Sequence, residues 1–296
     1  MIRLTFLGTS GSAPSKGRGL PSFAVWYDGG VYLFDCGEGT QRQMLKFGVN
    51  ASSLRAIFIT HVHGDHTIGI AGLLRTLALN RRTAPLEIFV PTGSEKAIAA
   101  LASFDGAHMG YEIAIRGVHR GIVFDGGAFA VEAFGLEHSV PAYGYAFVEK
   151  DRVHFIKEKA ARLGIKGTMF RELSATGSIR IGRGTVRLGD VTTTEKGVRI
   201  VYASDTRPAQ TTMKIAKGAD LLIHEATYAN ELARLAEERM HSTASEAAAV
   251  ARKAGVKMLV LTHISTRYKT GRVLQAEARK VFKNTEVAKD GLTITL

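Results

Sequence analysis

Between residues 61 and 66 the chain reads His61-Val62-His63-Gly64-Asp65-His66, four groups able to bind a metal within six positions, directly after the apolar run Ala56-Ile57-Phe58-Ile59-Thr60. Imidazole and carboxylate donors suit zinc, and a loop that carries them can turn alternate side chains toward two neighbouring sites. Three further candidates stand where an apolar run has just ended: His138 after residues 129–136, Asp205 after 200–204 and His263 after 258–262. Taken singly, each is a residue that loops carry for many reasons; the repeated order of strand, then donor, is what selects them. These donors are too many for one tetrahedral zinc and suit a two-metal centre in which one carboxylate bridges. The single cysteine, Cys36, allows no intrachain disulfide, thiolate site or CxxC pair, and reads as a small buried apolar side chain.

The donors need a scaffold of strands. Val31–Phe34, Ala56–Thr60, Leu86–Val90, Ala128–Phe134, Tyr143–Val148, Val198–Ala203, Leu221–Ile223 and Lys257–Leu261 all read as strands, with helices between them. If those strands lie in one layer, all the donors reach the same sheet edge. The clearest helix starts at Thr243, with Glu246 three residues on in capping-box spacing, and stops at Gly255; a second runs from about Ile68 to Leu79.

A chain of 296 residues, 45% of them hydrophobic, can bury a sizeable core, which excludes a disordered or collagen-like chain. The most apolar stretch, Ile68 to Leu79, contains Arg75 and Thr76, so none approaches the roughly 18 apolar residues of a membrane span. The first eight residues alternate like a strand rather than a secretion signal, and a cytoplasmic location is expected. A formal charge of +12 favours polyanionic partners. More than half of it falls between Lys150 and Arg187, where ten basic residues (150, 152, 157, 159, 162, 166, 171, 180, 183, 187) face three acidic ones. Short helices are expected there at 156–165 and 169–173, in an inserted arm; a merely solvated face is the alternative.

Six stretches carry a resemblance: Phe34-Asp35-Cys36-Gly37-Glu38-Gly39-Thr40-Gln41, the HxHxDH run, Ser204-Asp205-Thr206-Arg207, His224-Glu225-Ala226-Thr227-Tyr228, His241-Ser242-Thr243 and Thr262-His263-Ile264-Ser265-Thr266-Arg267-Tyr268. HxHxDH marks the metallo-β-lactamase superfamily, and the HEAT and HST runs together resemble its ribonuclease Z family, over nearly the whole chain. The resemblance implies an αββα sandwich, two mixed sheets flanked by helices, as a single domain 1–296 of two similar halves, usually a homodimer. It implies two Zn²⁺ per chain, one on His61, His63 and His138, the other on Asp65, His66 and His263, with Asp205 bridging. The implied reaction is one endonucleolytic cut that removes the 3′ trailer of precursor tRNA, leaving a 3′-OH on the tRNA and a 5′-phosphate on the trailer.

Asp65 is then the expected general base, and His241, supported by Glu225, the proton donor to the leaving oxygen. His241 also lies just before the Thr243 cap, at a helix end that favours phosphate; simple packing, with Glu225 in a salt bridge, is the other reading. His224 reads as a buried neighbour. Asp35 is expected to accept an N–H from a metal-binding histidine, or to be a turn residue before Gly37. The family carries its tRNA-binding exosite at the place of the 150–187 arm, which makes Lys157, Lys159, Arg162 and Lys166 candidate RNA contacts. The family's Gly-Pro-rich turn is replaced here by Leu163-Gly164-Ile165-Lys166-Gly167, without proline. Pro14, Lys16 and Arg18 match the family's PxKxRN loop, with Gly19 where Asn is expected. Lys16, Arg18, Arg207, Arg267 and Lys269 are candidate phosphate contacts.

Two rival functions compete. A hydrolase of a small ester or phosphodiester has no use for a basic arm, and a metal-free RNA-binding protein has no use for seven filled donor positions.

Overall fold

The computed structural model describes every residue except Ala107 and Arg183, so that Arg183, one of the basic residues counted in the arm, lies outside the described residues. Two compact units emerge, one made of Met1–Val148 with Arg199–Leu296, the other of Glu149–Val198.

The larger unit holds two seven-stranded sheets. The first runs in the order Thr293–Thr295, Arg3–Gly8, Ser22–Tyr27, Gly30–Phe34, Leu54–Phe58, Leu86–Pro91, Ile113–Val118. The second runs Thr285–Val287, Met258–Thr262, Leu221–Glu225, Arg199–Ala203, Tyr143–Glu149, Phe129–Gly135, Gly121–Asp125. Both are mixed. Gly30–Phe34, Leu54–Phe58, Leu86–Pro91 and Ile113–Val118 run parallel, as do Arg199–Ala203, Leu221–Glu225, Met258–Thr262 and Thr285–Val287, while Ser22–Tyr27 pairs antiparallel with Gly30–Phe34 and Tyr143–Glu149 with Arg199–Ala203. The central parallel strands read as unbroken apolar runs because both of their faces are covered.

An aromatic layer fills the space between the sheets. Phe23 meets Tyr202 edge-on at 4.8 Å, Tyr27 meets Phe129 at 5.3 Å and Phe58 meets Tyr145 at 5.5 Å, each pair joining the first sheet to the second. Helices cover the outer faces. On the first sheet, Gly69–Leu79 buries Ile70, Leu73, Leu74 and Leu77, the one-sided spacing of an amphipathic helix. On the second, Ala244–Ala254 turns Ala244, Ala247, Ala248 and Ala251 inward, small enough for close approach. The result is the expected αββα sandwich. The Thr243–Glu246 capping box closes as its spacing foretold, Thr243 accepting from the Glu246 N–H and Glu246 from the Thr243 N–H, and Gly255 ends the helix at φ 64°.

One expectation needs correcting: the donors do not share one sheet. Residues 61–66 follow Leu54–Phe58 of the first sheet, whereas His138, Asp205 and His263 follow strands of the second. The metal centre therefore spans the edge of the sandwich. Among the described residues no helix is long and apolar enough to cross a membrane.

The unit Glu149–Val198 is wider than the basic stretch because Thr192–Glu195 pairs back onto Arg152–Phe155. A hairpin of Ser178–Ile181 with Gly184–Arg187 and two helices, Lys157–Arg162 and Met169–Thr176, complete it. Ala160, Ile165, Leu173, Ile179, Val186 and Val191 form its own small core, while Lys157, Lys159, Arg162 and Lys166 are exposed. The turn without proline is made by Gly164 at φ 76° and Gly167 at φ 54°, left-handed conformations that glycine adopts without a steric penalty.

Candidate metal centre

The two sheets end in loops that place six donors around a seventh, Asp205. Four donors form one group: His61 Nε2 is 3.0 Å from His63 Nδ1 and 3.6 Å from Asp205 Oδ2, and His138 Nε2 is 3.4 Å from His63 Nδ1 and 3.9 Å from Asp205 Oδ2. The second group gathers around the other oxygen of the same carboxylate. His263 Nε2 is 3.1 Å and His66 Nε2 3.5 Å from Asp205 Oδ1, while Asp65 Oδ2 is 3.5 Å and 3.6 Å from those two nitrogens.

These separations test whether a metal fits. A tetrahedral ion with bonds of 2.0–2.1 Å sets its donors about 3.3 Å apart, and both groups scatter around that edge. His66 Nε2 and His263 Nε2 are buried with no hydrogen-bond partner among the described residues, an arrangement that would cost energy unless a ligand completed it. The donor set fits.

The opposite ring nitrogens are held by the protein, which aims the rings. His66 Nδ1 donates to Asp35 Oδ2 at 2.8 Å, and His138 Nδ1 to the Met240 carbonyl at 3.2 Å. His61 and His263 are held through threonines: His61 Nδ1 lies 3.0 Å from Thr60 Oγ1, which donates to Asp35, and His263 Nδ1 lies 2.9 Å from Thr227 Oγ1, which donates to Glu225. Each half of the sandwich thus supplies one buried carboxylate, one threonine relay and the histidine it orients. Asp35 also accepts from the Thr60 N–H and the Tyr202 hydroxyl, both at 2.8 Å. Sequence reading placed Asp35 here but missed the roles of Thr60, Thr227 and Tyr202, although Thr227 lies within a quoted motif and Thr60 directly precedes another.

His241 and Glu225 form the last part of the site. His241 Nδ1 is 2.7 Å from Glu225 Oε1, and Glu225, fully buried, also accepts the Thr206 and Thr227 N–H groups, both at 3.0 Å. Burial alone would lower the His241 imidazole, but the Glu225 carboxylate pushes it up to about 9; burial would raise Glu225, and His241 holds it down instead. The pair is therefore charged, with a proton on His241 at neutral pH. Its ring lines a cavity of about 480 Å³ together with His63, Asp65, His138, Asp205 and Arg267. Burial and the neighbouring imidazoles hold His61 well below the usual histidine range, the neutral form a metal requires.

The expected phosphate contacts divide. The Arg207 guanidinium donates to the His241 carbonyl at 2.5 Å and to both oxygens of Glu246, which ties the His241 backbone to the helix cap. Arg18 likewise spends one nitrogen inside the chain, on Thr9 Oγ1 and the Ala288 carbonyl. Arg267 lines the metal-centre cavity and lies over the Tyr228 ring, and Lys16 is exposed. His224 donates Nδ1 to the Glu225 carbonyl within the core, and Cys36 is fully buried, its thiol pushed up to about 12.

Sandwich and donor set define a metallo-hydrolase class: a family model described as Metallo-beta-lactamase superfamily matches residues 17–160, and one described as Beta-lactamase superfamily domain matches 145–264. Ribonuclease Z of Methanothermobacter thermautotrophicus is 42% identical over 296 residues, spanning 99% of this chain and 96% of that protein. Ribonuclease Z of Archaeoglobus fulgidus is 44% identical over 302 residues, spanning 99% and 97%. The crystal structure of human tRNase Z, short form, superposes with a TM-score of 0.73 at 28% identity, covering 99% of this chain and 98% of that one. The chain belongs to the ribonuclease Z family, and a metal cofactor belongs to its site.

Proposed function

We infer that this protein is a zinc-dependent endoribonuclease that removes the 3′ trailer from precursor tRNA. The observation that carries the reading is the pair of donor groups sharing the two oxygens of Asp205, beside His241 with its Nδ1 held 2.7 Å from Glu225. We assign one Zn²⁺ to His61, His63, His138 and Asp205, and a second to Asp65, His66, His263 and Asp205. When bound, two such ions would lower the pKa of a water and offset charge on the scissile phosphate.

The chain's own groups supply the rest. Asp65 Oδ2 belongs to the donor group and accepts the Ser12 N–H at 2.8 Å; no hydrogen bond to Oδ1 is made among the described residues, which leaves that oxygen to take the attacking water's proton. As the water oxygen bonds to phosphorus, the bond from phosphorus to the 3′-oxygen breaks. His241 gives its proton to that oxygen, so the tRNA keeps a 3′-OH and the trailer a 5′-phosphate. Glu225 stabilises the charged imidazolium before transfer, and Arg207 keeps the ring aimed. His241→Ala is expected to lower kcat on precursor tRNA by about 10³-fold. Metal content, read by elemental analysis, should stay at the wild-type level.

The unit Glu149–Val198 we assign as a tRNA-binding arm of one domain spanning 1–296, its exposed Lys157, Lys159, Arg162 and Lys166 contacting phosphates. Replacing these four by alanine should weaken precursor tRNA binding and reduce the slope of log Kd against log salt by about 3, near 0.7–0.9 for each phosphate no longer neutralised. Turnover of bis(p-nitrophenyl) phosphate should not change. An equal fall in both activities would overturn the arm's role. A cytoplasmic homodimer completes the reading, with sedimentation as the test of the dimer.

Cleavage of a 5′-labelled precursor tRNA by zinc-loaded protein, mapped to the nucleotide, tests the whole assignment. One cut beside the discriminator base supports it. Rapid hydrolysis of a small phosphodiester with no RNA cut would replace it with the small-substrate hydrolase.

A further inference from the structure

The segment from Gly11 to Gly19 leaves the floor of the metal centre and returns to the first sheet, tied at both ends. At the near end, Ser10 and Gly11 pair in parallel with Ile264 and Ser265, and an added Cβ at Gly11 would stand 2.6 Å from the His263 ring, so only glycine lets the chain pass. One residue on, the Ser12 N–H donates to Asp65 Oδ2 at 2.8 Å.

The far end is held from the opposite extreme of the chain. Asp290 Oδ1 accepts from Thr9 Oγ1 at 2.8 Å, and Oδ2 accepts from the Gly19 N–H and Gln43 Nε2, each at 2.6 Å. Arg18 closes the cluster by donating to Thr9 Oγ1. Gly19 is part of the fit, since a Cβ there would come 3.1 Å from Gln43 Nε2 and 3.4 Å from Asp290 Oδ2. Asp290 touches neither donor group.

What the loop faces gives the clamp a purpose. Lys16, at its tip, lines a cavity of about 1030 Å³ with Lys269, Arg272 and Lys289. None of these four cations forms an ion pair among the described residues, while Glu286 of the same wall is taken up by Gln275 and Arg279. A small phosphodiester fills only the metal centre. A polynucleotide carries further phosphates past it, and a wall of unpaired cations suits them.

We propose that Asp290 is a positioning residue that clamps the 12–19 loop between the metal centre and this basic cavity, so that the loop selects an extended RNA strand over a small phosphodiester. The proposal rests on the nuclease reading above. Without the clamp, the loop must be ordered when RNA binds, which weakens binding and leaves the chemical step alone.

The test compares full-length, metal-loaded wild type with Asp290→Ala and Asp290→Asn. For Asp290→Ala, KM for precursor tRNA should rise about tenfold, with kcat and bis(p-nitrophenyl) phosphate turnover within about twofold of wild type. Amide hydrogen exchange in residues 12–19 should quicken without any substrate present. Asp290→Asn, which keeps one acceptor oxygen, should fall between the two. Loss of RNA and small-substrate turnover in parallel, or faster exchange with unchanged KM, would overturn the selective role. Unchanged exchange would overturn the clamp. If wild type hydrolyses the small diester and never the RNA, the nuclease reading fails and selection fails with it, while the exchange data still decide whether Asp290 holds the loop.

Discussion

Asp65→Ala should abolish hydrolysis of precursor tRNA and of bis(p-nitrophenyl) phosphate alike, by about 10⁴-fold. Two losses combine. Asp65 Oδ2 stands 3.5 Å from His263 Nε2 and 3.6 Å from His66 Nε2, so alanine removes one donor from the second group. The same side chain supplies the proton acceptor assigned above. Asp65→Asn separates the two roles, because an amide oxygen can still occupy the donor position but takes up no proton. The alanine variant should hold less metal than wild type, whereas asparagine should hold nearly as much and remain inactive. Wild-type turnover by the asparagine variant would remove Asp65 as the base. Since Asp65 lies in a four-residue helix, Gly64–Thr67, at the rim of the site, its loss should change thermal stability little when metal is absent from both proteins.

The second large effect is on stability. Asp35 is fully buried, and its carboxylate accepts from His66 Nδ1, the Thr60 N–H and hydroxyl, and the Tyr202 hydroxyl. Asp35→Ala leaves those donors without an acceptor in a place water does not reach, a loss of about 3–5 kcal/mol. A drop in Tm of about 10 °C follows for a chain of this size, and metal affinity should fall about 10–100-fold as His66 loses its orientation. Asp35 sits at φ 55°, a conformation that aspartate and asparagine tolerate better than alanine. Asp35→Asn therefore removes the charge without adding backbone strain. If its Tm and metal content both match wild type, the carboxylate is not what holds the site together.

Much of this was legible before any fold was known. Every metal donor stands at the end of an apolar run, and parallel strands buried on both faces write such runs without interruption; hence Ala56–Thr60 and Met258–Thr262 could be read, and His61 and His263 with them. The Thr243 capping box was equally local. Local pattern says nothing of which strands share a layer, so the split of donors between two sheets stayed hidden. Thr60, Thr227 and Tyr202 were missed for the same reason: their partners are set by how strands meet, and a threonine after a strand has no signature of its own. Arg207 was picked out because its neighbour is a donor, and its ion pair with Glu246 is set by how the loop meets the helix Ala244–Ala254, which local pattern does not show. The helix Arg272–Val281 escaped notice because it buries only Leu274 and Ala278 among charged residues.

The larger unit is sewn shut by its last residues. Thr293–Thr295 pairs with Arg3–Gly8, Thr285–Val287 completes the second sheet beside Met258–Thr262, and Asp290 grips Thr9 and Gly19. During synthesis, none of these contacts can form until almost the entire polypeptide has cleared the ribosome. Pairings of such long sequence separation are slow to establish. The inserted unit, whose hairpin and helices are neighbours in sequence, faces no such wait. A nascent or prematurely terminated chain would thus present basic surface to cellular RNA well before it could cut any of it. Because His263 is a donor of the second group, a chain that stops before it would lack a complete metal centre.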